Sequence, residues 1–203
     1  GRLRGHGDLV TDRPALADRR ETPTVYAPAA DSALLAAAAV DRVGTDDLVF
    51  EVGVGSGWVA NRVAAETGAR VAGDDLTVEA CAEAATRGVE VVRANLLDPV
   101  ADAAVDVVLC NPPYLPTPPE AEWDDPMEAA LSGGPEGRRV VDPFLDDVGR
   151  VLAPGGHALL LVSTLTGLDE VRARAATNGL TAEIVREESF PYERLVVFDL
   201  ALE

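Results

Sequence analysis

An α/β fold on a mostly parallel sheet is predicted by three features of the sequence. Apolar runs of strand length alternate with helical stretches, the runs are apolar enough to be buried on both faces, and the last two are joined too closely for a crossover helix. Strand-length runs lie at Leu48–Val52, Arg70–Gly73, Val89–Val92, Val105–Cys110 and Ala158–Val162. Helical patterns lie at Ser32–Val40, Trp58–Glu66, Val78–Arg87, Arg138–Leu152 and Leu168–Asn178. Asp31 or Ser32 is a suitable N-cap for the first helix, and the polar turn Gly44–Asp47 closes it. Near the end, Thr181–Arg186 and Leu195–Leu200 flank the short connection Glu187–Arg194, so these two strands should pair antiparallel.

Seven strands, mostly parallel with a C-terminal antiparallel hairpin, give the Rossmann-like arrangement of the class I methyltransferase architecture. The 203 residues suffice for one domain with a substantial core. Residues 1–24 mix Gly, Arg, Asp and Pro without periodicity and read as a flexible N-terminal arm, leaving 25–203 as the domain. The two cysteines, Cys81 and Cys110, cannot supply a disulfide framework, and no run of apolar residues is long enough for a membrane span. With no basic-then-apolar leader, the expectation is a cytosolic, soluble protein.

The formal net charge is −18, and all 17 basic residues are arginine. The acidic residues are spread along the whole chain rather than gathered in a tail. Such a surface repels itself in dilute buffer but is well screened at 1 M salt, where the Debye length is about 3 Å, so the composition reads as that of a halophile. Binding of a basic partner is the alternative. The acidity argues only weakly against nucleic acid.

Glu51-Val-Gly53-Val-Gly55-Ser-Gly57 follows the first strand directly and opens a helix. Glycine at this turn permits both a sharp reversal and close approach of a ligand to the backbone. Asp74 and Asp75 end the next strand, the latter 22 residues after Gly53, an offset at which a carboxylate reaches a ribose hydroxyl in doubly wound folds. A nucleoside-containing ligand is implied. Dinucleotide oxidoreductases share this geometry, but their third glycine lies three places after the second, whereas Gly55 and Gly57 are two apart. Glu51, two positions before the first glycine, suits the amino-acid end of S-adenosylmethionine.

Asn111-Pro112-Pro113-Tyr114 leaves the strand Val105–Cys110 at its carboxyl end, where ligands bind in such sheets. The two prolines stiffen the exit and donate no backbone hydrogen. The Asn111 amide oxygen and the Pro112 carbonyl supply two acceptors, and Tyr114 supplies an aromatic face, which together suit a planar group bearing NH2. Such a nitrogen is a poor nucleophile because its lone pair is delocalised. Holding both hydrogens aligns it for attack on a methyl sulfonium, with no metal or general base demanded at the outset.

The glycine loop together with Asn111-Pro-Pro-Tyr114 resembles the HemK/PrmC-type glutamine methyltransferases, which methylate the glutamine of the Gly-Gly-Gln motif in translation release factors. Val25-Tyr-Ala-Pro-Ala-Ala-Asp-Ser32 is similar to the family's entry segment, and Pro118-Pro119 with Glu128–Arg138 is similar to its active-site lid. The resemblance covers about residues 25–200 and is closest to the archaeal and eukaryotic branch, whose catalytic chain pairs with a small zinc-binding activator subunit. It implies that Tyr26, Ser32, Glu51, Gly53, Gly55, Asp75 and Asn95 line the S-adenosylmethionine site. Asn111 then touches both cofactor and substrate, and Asn111, Pro112 and Tyr114 form the catalytic notch. Asp75 is favoured over Asp74 by the register of Asp75-Leu-Thr-Val-Glu-Ala80. Ala27 and Ala30 stand in place of two family glutamates, and Asn95 in place of an aspartate that meets the adenine amino group.

Within 115–136, Trp123 and Met127 are candidate contacts for a peptide substrate. His6, His157 and Cys110 form no ligand cluster and need no reactive role. The third strand should lie at a sheet edge, and the activator subunit is expected to add a strand near residues 89–93 or to pack beside it. Two other functions compete: N-methylation of adenine or guanine in RNA or DNA, with little room in the chain for the extra recognition surface a duplex-DNA enzyme needs, and a scaffold that binds cofactor without turnover.

Overall fold

The computed structural model describes residues 29–118 and 132–203. Helix α1 (Ala30–Val40) leads into β1 (Leu48–Val52), α2 (Trp58–Thr67), β2 (Arg70–Asp75), α3 (Val78–Thr86), β3 (Glu90–Arg93) and β4 (Val105–Cys110). Then come α4 (Val141–Val151), β5 (Leu152–Ser163), a 3₁₀ turn at Thr164–Thr166, α5 (Leu168–Thr177), β6 (Leu180–Ser189) and β7 (Arg194–Leu202). The seven strands form one sheet in the order β3-β2-β1-β4-β5-β7-β6. Every pairing from β3 to β5 is parallel, and β7 is antiparallel to both β5 and β6, as the short final connection requires. No helix among the described residues is long and apolar enough to cross a membrane.

Alternation along the central strands sorts their side chains onto two cores. Phe50, Val52, Val108 and Cys110 pack with Leu160, Phe198 and the apolar stripe Val141, Phe144, Leu145 and Val148 of α4. Val49, Val107, Leu109, Leu159 and Val197 face the other way, against α1 and α2 through Leu35, Ala39, Val59 and Val63. Phe144 and Phe198 are fully buried. Each such side chain contributes about 1.5–3 kcal/mol relative to exposure.

The boundaries depart from expectation where prolines and glycines have more than one use. Helix α4 begins at Val141 rather than Arg138. Pro143, lacking an N–H, fits only the first turn of a helix, and Arg138 is instead drawn aside to the Thr166 carbonyl at 2.7 Å. Strand β5 starts at Leu152, not Ala158, because Leu152 already pairs with Val105 and the Pro154-Gly155-Gly156 step is absorbed as an irregularity in the ladder. A Cβ on Gly156 would lie 2.8 Å from the Asp106 carbonyl, so the strand bends there only because the residue is glycine. The third strand sits at the sheet edge as anticipated, although Val89 is buried in the turn before it rather than paired within it.

Candidate active site

Three chain crossings bring the candidate residues to the carboxyl ends of β2, β1 and β4. Val52 is in register with both Asp74 and Cys110, so Gly53, Asp75 and Asn111 each begin the exit from a neighbouring strand at the same level. By strand alternation Glu51 and Asp75 share the face covered by α1 and α2, with Asp74 on the opposite face. That assigns the two adjacent aspartates different tasks.

The glycine loop is held by its own backbone and by those two carboxylates. Val54 N–H donates to the Asp74 carbonyl at 2.8 Å, and Gly57 N–H to the Val54 carbonyl at 2.7 Å. Gly53 N–H donates to Asp74 Oδ1 at 3.3 Å, and Gly55 N–H to Asp75 Oδ2 at 3.1 Å. Asp75 Oδ1 also accepts from the backbone and hydroxyl of Thr77, the N-cap of α3. Asp75 Oδ2, which accepts one of these bonds, keeps a second lone pair for a hydroxyl donor. Gly53 and Gly55 have φ of +67° and +51°, and a Cβ built on either meets nothing within 4 Å. The space above the loop is therefore open. Gly57 differs, because its Cβ would strike Ala84 at 2.8 Å.

Glu51 is buried on β1, and its Oε2 accepts no hydrogen bond from the described residues. Burial pushes its carboxyl up to about 8, with Asp75 and Asp74 adding repulsion and the Ala60 N–H offsetting part of the rise. Asp74 is likewise raised to about 7, chiefly by burial, despite its bond from Gly53. Burial also raises the Cys110 thiol, with Asp74 and Glu51 adding to it, so this cysteine is an inert part of the strand end. A buried carboxyl with one oxygen unsatisfied by the described residues, beside an open glycine cradle, suits a cation carried on a ligand with a hydroxylated sugar. The ammonium and ribose of S-adenosylmethionine fit that donor set.

On the acceptor side, Asn111 is half-buried and its Nδ2 donates to Asp31 Oδ2 at 3.3 Å, across 80 residues of sequence. No hydrogen bond to Asn111 Oδ1 comes from the described residues. Asp31 Oδ1 accepts from the Ser32 backbone N–H at 2.6 Å, and Ser32 itself is buried in the first turn of α1. Pro112 is buried, and Tyr114 packs against the core on the α1 side while its carbonyl accepts from the Thr166 hydroxyl at 3.3 Å. Asn95 is exposed, just past the end of β3. Tyr26, Ala27, Pro119, Trp123, Met127 and Glu128–Leu131 lie outside the described residues, as does the 1–24 arm. The described residues on either side of 119–131 are tied together where Gly133 N–H meets the Leu115 carbonyl at 2.9 Å and Thr117 N–H meets the Gly134 carbonyl at 2.8 Å.

The sequence offers Asp31 as a helix cap and as one position of the entry segment Val25–Ser32, and its contact with Asn111 leaves no local trace there. Asp74 was visible, but its role in bracing Gly53 depends on strand register.

A family model described as a methyltransferase domain matches residues 50–113. The chain is 32% identical over 183 residues to the putative protein N5-glutamine methyltransferase of Methanocaldococcus jannaschii, covering 87% of this chain and 91% of that protein. It is 32% identical over 173 residues to methyltransferase HEMK2 of Homo sapiens, covering 77% and 79% respectively. Among solved structures it matches the E. cuniculi Mtq2–Trm112 complex, described as methylating the eRF1 translation termination factor. The TM-score is 0.73 and the identity 27%, over 89% of this chain and 100% of that one.

Proposed function

This chain belongs to the protein N5-glutamine methyltransferase family, and we propose that it methylates the side-chain nitrogen of the glutamine in the Gly-Gly-Gln motif of a translation release factor. The observation that carries this reading is the placement of Asn111-Pro112 one strand away from the open glycine cradle, at the same level of the sheet. Glu51 would pair with the ammonium of S-adenosylmethionine, Asp75 with its ribose, and Gly53 and Gly55 would give it room. Ser32, Tyr26 and Asn95 would complete the enclosure. When bound, S-adenosylmethionine would supply a methyl carbon attached to positively charged sulfur, and breaking that carbon–sulfur bond would return its electron pair to sulfur and leave the neutral thioether S-adenosylhomocysteine.

The protein's own residues would do the rest by alignment. Asn111 Oδ1 and the Pro112 carbonyl accept the two hydrogens of the substrate amide, and Tyr114 lies against its plane. Both hydrogens then point away from the incoming carbon, and the nitrogen becomes pyramidal as its lone pair is committed to the new bond. The acceptors stabilise positive charge as it develops on nitrogen, and one hydrogen leaves to solvent as a proton.

The chain is further proposed to be the catalytic subunit of a heterodimer with a small zinc-binding activator. Its E. cuniculi relative is found in complex with Trm112. Here the edge strand β3 is only four residues long, and Leu76, Val78 and Val92 beside it are 61%, 56% and 46% exposed. An added strand covering those side chains would bury an apolar edge. The arginine-only, strongly acidic composition fits an archaeal protein adapted to a salt-rich cytoplasm.

The deciding experiment is a methyl-acceptor assay at high salt, with the activator present, comparing purified release factor with tRNA, rRNA and DNA. Label on the glutamine of the release factor is the expected result. Incorporation into nucleic acid alone would transfer the notch to planar base amines and reject the proposal.

A further inference from the structure

We propose that Asp31 is a positioning residue that sets the direction of the Asn111 amide, so that Oδ1 and not Nδ2 faces the group to be methylated. This deepens the reading above and rests on it for the identity of the substrate. Asp31 is buried at 5% exposure in the first turn of α1, where the helix N-terminus favours a negative group. Its two carboxylate oxygens are divided between the two halves of the site. Oδ1 takes the Ser32 N–H at 2.6 Å, and Oδ2 takes Asn111 Nδ2 at 3.3 Å.

An asparagine amide is nearly symmetric in shape, and at a site meant to accept hydrogens the wrong orientation would present a donor. A carboxylate has no hydrogen to give, so the reversed amide would set two acceptors against each other. Asp31 thereby selects one orientation. A hydrogen bond donated to a charged oxygen also shifts electron density towards Oδ1, making it a better acceptor as the substrate nitrogen becomes positive. Placed on α1, Asp31 ties the entry segment to the exit of β4, so the Ser32 end of the cofactor half and the notch keep a fixed separation. Because the carboxylate does not itself need to touch the substrate, its effect must pass through Asn111.

The test uses the full chain with its activator and the variants Asp31→Asn, Asp31→Ala, Asn111→Ala and the double variant Asp31→Ala/Asn111→Ala. In side-chain amide nitrogen spectra, the Asn111 NH2 signal, assigned by its loss in Asn111→Ala, should be slowly exchanging in the parent. In Asp31→Ala its exchange should be faster by about tenfold or more. The isosteric Asp31→Asn, which preserves packing, should move the same way.

Turnover on release factor should fall roughly 10- to 100-fold in the single Asp31 variants. Dissociation constants for S-adenosylhomocysteine should stay within about threefold, and the double variant should be no slower than Asn111→Ala alone. An unchanged Asn111 amide signal, turnover within about twofold of the parent, or a double variant slowed by both factors multiplied would each overturn the proposal. If the parent methylates no release factor, the substrate reading fails while the amide spectrum still decides the role of Asp31.

Discussion

The two halves of the site are built by different means. The cofactor half comes from two adjacent strand-to-helix turns, 51–57 and 74–77, whose backbones and side chains hold one another: Asp74 on Gly53, Asp75 on Gly55 and Thr77. The acceptor half is four consecutive residues, Asn111 to Tyr114, held from outside by Asp31 and Thr166, 80 and 52 positions away. A turn that braces itself tolerates change elsewhere. A notch braced from afar is exposed to substitutions that touch neither ligand nor substrate.

The largest effect expected from this contrast is at Asn111. Replacing it with alanine should lower turnover by about 10²- to 10³-fold while cofactor affinity changes little, because the lost interactions are with the reacting nitrogen. Isothermal titration with S-adenosylhomocysteine beside single-turnover methyl transfer would check it, and an equal loss in both would erase the division between the halves.

Glu51→Ala should show the opposite pattern: weaker binding by roughly 10- to 100-fold, with transfer at saturating cofactor largely retained. The raised pKa of Glu51 couples proton release to this binding. A carboxyl at about 8 in the cofactor-free fold is mostly protonated at neutral pH, and a cation placed against it favours release of that proton. Calorimetry in buffers of different ionisation enthalpy should therefore show proton release on binding near neutral pH, and Glu51→Gln should abolish most of it.

The same shift fixes the sign of a stability effect. The folded chain holds a proton on Glu51 that the unfolded chain gives up at the ordinary value of 4.5, so this contribution is fully present below 4.5 and is lost as pH rises to about 8. Asp74 acts in the same sense between 3.8 and about 7. Urea midpoints of the cofactor-free protein should accordingly fall across that range, and fall less steeply in Glu51→Gln.

The smallest effect on the isolated chain is expected at the edge. Val92→Arg should leave its urea midpoint within the shift produced by about 0.5 kcal/mol, because the side chain is exposed. Co-purification with the activator should nevertheless be lost. Retained association would place the partner elsewhere on the molecule.

Much of the fold was legible because burial on both faces leaves a simple signal. Strands β1 and β4 fall at the residues their apolar runs mark, Leu48–Val52 and Val105–Cys110. The starts of α4 and β5 were not legible, since Pro143 fits the first turn of a helix as well as a break, and Leu152 becomes strand only by pairing with Val105. In the site, Glu51, the glycines, Asp75 and the Asn111–Tyr114 notch each carried a local chemical reason to be singled out. Asp31 carried only its place before a helix and its position in the entry segment Val25–Ser32.

The sequence by itself determined the order of strands and helices, the open glycine turn and the pair of acceptors after β4, because each depends on residues within a few positions of one another. Only the tertiary structure decided that Asp74 and Asp75 lie on opposite faces of the sheet, that Glu51 Oε2 has no hydrogen-bond partner among the described residues, and that α1 brings Asp31 to Asn111. Those outcomes depend on strand register and on the packing of α1, and register sets which face a side chain occupies through contacts that no local run of residues encodes.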